Sequence, residues 1–318
     1  MQNKKYFVIT IDTEADNQWV YENPITTENT LYLPRFQELC EQFNFKPVWL
    51  TDYEMASDER FVKYFKEKQD KGLCEIGMHL HGWSTPPEYE LPVNCKERPF
   101  IYEYPLNIIE EKVKNITELL TQKFRVSPIT HRAGRWAINN EYLSILCKYG
   151  YKIDCSVTPG INWVNTKGQT GCHGPDFSEY SDKVQKIGNM LEVPVSIKKI
   201  RCFNVKKIIP TRHVRSWLID LLRELKNFNK AKLQWLRPDR FFNLNALKKL
   251  VDLVAEDDSE YLMFMIHSSE LMPGGSPTFV TKRTIEKLYK LLEKLFFYIQ
   301  TKGFEGITLK DFYMHNAK

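Results

Sequence analysis

His79 and His81 stand two residues apart in the segment EIGMHLHGW. On an extended backbone, residues i and i+2 point to the same side, so this pair can present two imidazoles to one metal ion. Asp12 and Glu14 repeat the spacing in ITIDTEAD. One carboxylate joined to two histidines makes a three-ligand set that leaves a position for water, as hydrolytic metal sites require. The second carboxylate can act as general base toward that water. Spacing alone leaves open which acid takes which part.

Three more groups suit the same chemistry. Arg132 can pair with a carboxylate and hold it ionised and oriented. His267 follows the apolar run YLMFMI and precedes Ser268, Ser269 and Glu270, a setting suited to protonating a leaving group, with Asp154 as an orienting partner that raises its pKa. Taken singly, each has an ordinary structural reading: a satisfied core histidine, a surface arginine, a capping pair of acids. Their joint placement at the ends of apolar runs argues for a site.

Those runs read as strands: Tyr6–Ile11, Pro47–Thr51, Glu75–Leu80, Ser127–His131, Tyr151–Asp154, Met190–Val195, Tyr261–Ile266 and Phe304–Thr308. Helical patterns lie between most of them, over Ser57–Lys71, Asn107–Lys123, Asn140–Tyr149, Arg212–Lys226, Leu244–Ala255 and Thr281–Lys302. Alternation of this kind predicts parallel β/α units, and about eight strands without a long linker predict one α/β barrel in a single domain over 1–318. In such a barrel function sits at the C-terminal ends of strands, where the polar residues named above fall.

The 318 residues are 42% hydrophobic and 27% charged, a globular balance. The first apolar run breaks at Asp12, too early for a signal-peptide core, and no stretch approaches the roughly 18 apolar residues of a membrane span, so a soluble cytoplasmic protein is expected. Seven widely spaced cysteines without a C-x-x-C pair predict reduced thiols. Net charge is +5, with 13 Lys or Arg against three acids between Lys198 and Arg240. That block, expected as a basic helical insertion with Trp217, Leu218, Leu221 and Leu222 on its apolar face, can meet phosphates or a peripheral membrane surface. No zinc finger, RNP-like motif, phosphate loop or dinucleotide fingerprint accompanies it, and nucleic acid is not an expected partner.

The chain resembles the polysaccharide deacetylases of the NodB-homology fold, carbohydrate esterase family 4, in a divergent branch found among surface-polysaccharide biosynthesis proteins. The segments that carry the resemblance are ITIDTEAD (9–16), EIGMHLHGWSTPP (75–87), HRAGRWAIN (131–139), YKIDCSVTPG (151–160), LEVPVS (191–196) and MFMIHSSEL (263–271). The resemblance implies a distorted (β/α)7 barrel. It implies Asp12 as catalytic base, Glu14, His79 and His81 as metal ligands, Arg132 as partner of the base, Asp154 as the acid that tunes the last histidine, and His267 as general acid. Trp136 would line the substrate groove, and Arg135, Trp83 and Arg237 complete the expected substrate contacts.

This sequence departs from the family pattern at three points. The acids are separated by Thr13, which keeps Asp16 a rival for the ligand role; the histidines are spaced i, i+2, with Trp83 four beyond His79; and the arginine motif lacks its usual proline. The expected cofactor is a divalent metal, zinc foremost, and the expected activity is removal of an acyl group, N-acetyl foremost, from a sugar or glycan precursor that is phosphorylated or lipid-linked. A metal-dependent amidohydrolase acting on a small nitrogen metabolite and an inactive glycan-binding barrel are the competing readings; aromatic residues near the rim (Trp49, Trp83, Trp136, Trp163) favour a sugar.

Overall fold

A computed structural model describes residues 4–18, 24–201 and 231–316. The first half of the chain runs β1 (Lys5–Thr13), α1 (Leu33–Gln42), β2 (Val48–Thr51), α2 (Tyr53–Ser57), α3 (Glu59–Asp70), β3 (Glu75–Leu80), α4 (Leu106–Phe124), β4 (Thr130–Ala133) and α5 (Asn140–Lys148). The second half runs β5 (Ile153–Asp154), β6 (Gln185–Ile187), β7 (Met190–Glu192), β8 (Ile197–Ile200), β9 (Lys232–Trp235), α6 (Leu244–Glu256), β10 (Tyr261–His267), α7 (Lys282–Thr301), β11 (Phe304–Gly306) and α8 (Leu309–Asn316).

β1 is buried from Phe7 to its end, as a strand covered on both faces must be. It pairs in parallel with β10 along one edge, and along the other with β11 at its start and β2 at its end. The sheet continues in the order β10-β1-β2-β3-β4-β5-β7, seven parallel strands, with β6 antiparallel at the far edge. No ladder joins β7 to β10. The segment after β7 crosses that gap instead: Pro194 O accepts from the Tyr261 hydroxyl at 2.6 Å, Ser196 Oγ accepts from Met263 N at 2.8 Å, and Leu236 O accepts from Met265 N at 3.2 Å. The curled sheet is therefore the distorted, seven-stranded α/β barrel expected, in one domain.

Apolar side chains fill both sides of it. Val8, Val48, Ile153, Val195 and Met263 pack inside the barrel with Leu309 and Phe312 of α8, while Phe36, Trp49, Phe65, Val113 and Phe296 belong to the core between sheet and outer helices. Side chains cap several helices: Asp58 accepts from Arg60 N before α3, Asn139 from Tyr142 N before α5, and Thr281 from Thr284 N before α7.

The fourth strand is shifted relative to expectation, to Thr130–Ala133. Pro128 has no N–H to give a ladder, so pairing starts beyond it and carries Arg132 into the strand. Helix α1 was not expected from the pattern; Pro34 lies in its first turn, where no intrahelical N–H is needed. The described ends of the expected basic helical insertion are the antiparallel strands β8 and β9, not helix. The helix expected at Arg212–Lys226, its apolar face, and Cys202 lie outside the described residues. The other six cysteines are free thiols.

Candidate active site

Register brings the polar residues together. Asp12 on β1 is the partner of His267 on β10, and His79 on β3 is the partner of Arg132 on β4. Glu14 and His81 lie just past the ends of their strands, two residues beyond Asp12 and His79, on the same rim.

Glu14, His79 and His81 form one buried group whose donor atoms all lie within 4.8 Å of one another. Glu14 Oε2 is 3.4 Å from His81 Nε2 and 3.8 Å from His79 Nε2. The Nδ1 of His79 is 3.0 Å from Arg132 O; a carbonyl only accepts, so Nδ1 carries the proton and Nε2 offers its lone pair to the site. Burial drives the His79 pKa down to about 4 and that of His81 well below its usual value, which keeps both rings neutral. Burial also pushes Glu14 up to about 7. Two neutral imidazole lone pairs facing a carboxylate whose charge burial penalises are the donor set a divalent cation satisfies, and the residues fit one. Asp16, the rival ligand, points elsewhere: its carboxylate accepts from Thr26 Oγ1 at 3.0 Å and from Asn29 N.

Beside this group sits Asp12. Its Oδ1 accepts from Arg132 Nη1 at 2.6 Å, and its Oδ2 is 3.7 Å from His267 Nε2. Burial would raise its pKa, but Arg132, His79 and His267 outweigh that and hold the carboxyl well below the usual range. Arg132 is itself buried, donating from Nε to Cys155 O at 2.9 Å.

The expectation for Asp154 is corrected. Its Oδ1 lies 2.6 Å from His131 Nδ1 and accepts from Ser156 Oγ at 2.9 Å, so it serves a buried network under β4 and not His267. The acid at His267 is Glu270, whose Oε2 accepts from His267 N at 3.0 Å, lies 3.4 Å from His267 Nδ1, and accepts from Arg237 Nη2 at 2.8 Å. Against the cost of burial, Arg237 and His267 hold Glu270 down to about 2. For His267, burial lowers the pKa, but Glu14, Glu270 and Asp12 together raise it above the ordinary histidine value.

Two residues that sequence reasoning missed hold Glu14 by its backbone. Ser268 Oγ accepts from Glu14 N at 3.0 Å and lies 2.9 Å from Glu14 O, which also accepts from Asn29 Nδ2 at 2.8 Å. Gly134 makes room for His81: a Cβ there would stand 2.5 Å from the ring Cδ2.

The site opens into a cavity of about 850 Å³ bounded by Asp12, His79, His267, Trp136, Trp163 and Trp235. Trp235 packs against both other indoles, at ring-centre distances of 5.6 and 6.4 Å. Arg135 and Arg237 also line it, but the Arg135 guanidinium donates to Arg98 O and Lys167 O, tying two loops together. Arg135 and Trp136 both adopt left-handed backbone (φ 56° and 61°), a strain that such sites tolerate. Trp83 does not line the cavity; it stacks on His81 at 4.3 Å and donates to Gln18 Oε1 at 3.1 Å. Trp49 is fully buried in the core, donating to Gln37 Oε1, because its side of β2 faces the outer helices.

No family model and no curated protein matches the chain. Solved structures similar to it include deacetylases of carbohydrate esterase family 4. A peptidoglycan N-acetylglucosamine deacetylase is 12% identical at TM-score 0.45, covering 98% of this chain and 89% of that one. A family 4 carbohydrate esterase from Streptomyces lividans is 10% identical at TM-score 0.44, covering 95% and 91%. A 4-alpha-glucanotransferase from Thermococcus litoralis is 13% identical at TM-score 0.51; the match covers 98% of this chain but 40% of that one, and it shows a shared fold alone.

Proposed function

We propose that the protein is a metal-dependent hydrolase that removes an acyl group, N-acetyl foremost, from a sugar. The observation that carries this reading is the meeting, at the floor of a tryptophan-walled cavity, of the Glu14, His79 and His81 donors with an arginine-held Asp12 and a carboxylate-held His267.

Glu14, His79 and His81 would hold a divalent ion, zinc or a neighbour in the series, which supplies Lewis-acid polarisation of the acyl carbonyl and of water. Asp12, ionised and fixed by Arg132, takes a proton from the attacking water on Oδ2. His267 presents Nε2 beside it, with Nδ1 toward Glu270, and gives a proton to the departing nitrogen as the acyl C–N bond breaks. The acyl group leaves as a carboxylate and the sugar as an amine, so water and protons balance. Trp136, Trp163 and Trp235 offer flat apolar faces to a sugar ring, and Arg240 stands at the wall for an anionic substituent. This favours a sugar over a small polar amide, and a phosphorylated precursor over a neutral polymer. Among the described residues no helix is long and apolar enough to cross a membrane.

The test is release of acetate from N-acetylated sugars by zinc-loaded protein, alongside Asp12→Asn. The substitution should leave zinc binding intact and lower kcat by about two to four orders of magnitude. Glycan binding without acetate release, across acetylated sugars and metals, would overturn the reading in favour of a binding barrel.

A further inference from the structure

A second cavity, of about 660 Å³, lies along α7 outside the site just described. Its wall carries four cations, Arg240, Lys287, Lys290 and Lys294, and no acid. The three lysines are spaced i, i+3, i+7, which places them on one exposed face of the helix. None of them makes an ion pair among the described residues; Glu286 on the same helix is held by Arg35 at 2.6 Å, and Arg35 with the more distant Lys290 lowers its pKa. Four like charges set together this way repel one another, and a bound anion relieves that cost.

The rest of the wall is apolar: Phe241, Phe242, Leu244 and Leu291. Thr284 is its single neutral polar side chain and the one side-chain acceptor for a nucleobase's N–H groups. Phe297, 61% exposed, lies three residues beyond Lys294 on the same helix. A fully hydrated polyanion gains nothing from such a floor, and a neutral hydrocarbon nothing from its rim. A phosphate ester of a hydrocarbon chain meets both.

The two cavities share Arg240. Between them the chain turns at Asp239, whose Oδ1 accepts from Phe241 N at 2.9 Å, and Phe242 is held at φ 51°, a left-handed conformation costly for a bulky residue. One elongated ligand can therefore place its sugar among the tryptophans, its phosphate at Arg240 and its chain over Phe241, Phe242 and Leu291. We propose that this second cavity binds the phosphate-linked hydrocarbon portion of the acylated sugar, an inference that rests on the deacylase reading above.

Calorimetry on the full-length, zinc-loaded chain tests it with farnesyl phosphate as probe, against farnesol, inorganic phosphate and uridine diphosphate. Farnesyl phosphate should bind at least tenfold tighter than each comparator, and the triple substitutions Lys287→Glu, Lys290→Glu, Lys294→Glu should weaken it at least tenfold. The milder triple Lys→Gln set, all on the exposed face, should weaken it in the same direction if reversal disturbs folding. Equal affinity of wild type and both variants, or tighter binding of uridine diphosphate, overturns the proposal. Acetate release by the wild-type protein from a set of N-acetylated sugars, with and without a phosphate, is read separately. Its absence with the probe still bound overturns the deacylase reading, and its presence with no probe bound overturns only this second site.

Discussion

Glu270 touches the ring of His267, where the resemblance placed Asp154, and Asp154 touches the ring of His131. Glu270→Gln should therefore lower kcat by about tenfold or more, since it removes the charge that favours protonated His267, with KM little changed. Asp154→Asn should leave turnover within a few-fold of wild type but destabilise the fold by about 3 kcal/mol, because it strands a buried histidine partner. Steady-state kinetics and thermal unfolding on both variants separate the two, and a kcat loss confined to Asp154→Asn would reverse the assignment. Gly134→Ala, by pressing on His81, should weaken zinc binding by about 10-fold to 100-fold, the range seen when a ligand's support is disturbed; competition titration measures it. Asp12, Glu14, His79 and His81 were legible because i, i+2 spacing at strand ends is written locally, and Arg132 and His267 because each stands at the end of an apolar run. Glu270, Asn29 and Ser268 were not, because residues one and three past a histidine and an asparagine in a five-residue 3-10 helix carry no periodic signal until the fold brings them together.

Elements with a clear period and a cap were read nearly to the residue, as at Glu75–Leu80 and Leu244–Glu256. The β8 and β9 pair was missed because β8 reads Ile-Lys-Lys-Ile and β9 Lys-Leu-Gln-Trp, only four positions each, and charge obscured the strand signal. That loss hid Trp235, a wall of the cavity, within what looked like a basic helix. Caps can be tested directly. Asp58 precedes α3, accepting from Arg60 N at 2.7 Å and from Thr27 Oγ1 at 2.6 Å. Burial raises its pKa, but Arg60 and Thr27 prevail and bring it to about 2. A depressed carboxylate pKa contributes stability that is present above the unfolded value near 3.9 and is lost as pH falls through the folded value. Asp58→Ala should thus cost about 1 kcal/mol at pH 7, with the gap from wild type closing between about pH 4 and pH 2 in denaturant unfolding.

Across the whole molecule, a ligand that binds only the folded chain stabilises it. Zinc at about 100 times its dissociation constant should add about 2.7 kcal/mol, seen as a rise in Tm, and His79→Ala or His81→Ala should abolish the rise. An equal rise in both variants would remove them from the ligand set. The gap between β7 and β10, bridged by Pro194, Ser196 and Leu236 instead of a ladder, leaves β10 held chiefly by β1. Glu14 and the Ser268 that clamps it are 254 positions apart in the chain. At a synthesis rate of about 5–20 residues per second, roughly 13–50 s separate the emergence of the two. During that interval Glu14, His79 and His81, all within the first 81 residues, exist without the strand that locks Glu14 in place, and one edge of β1 has no partner. On the metal-dependent reading proposed above, the nascent chain would complete its donor set only when the barrel is nearly closed, so metal capture would be a late event in its maturation and a reporter that β10 has docked.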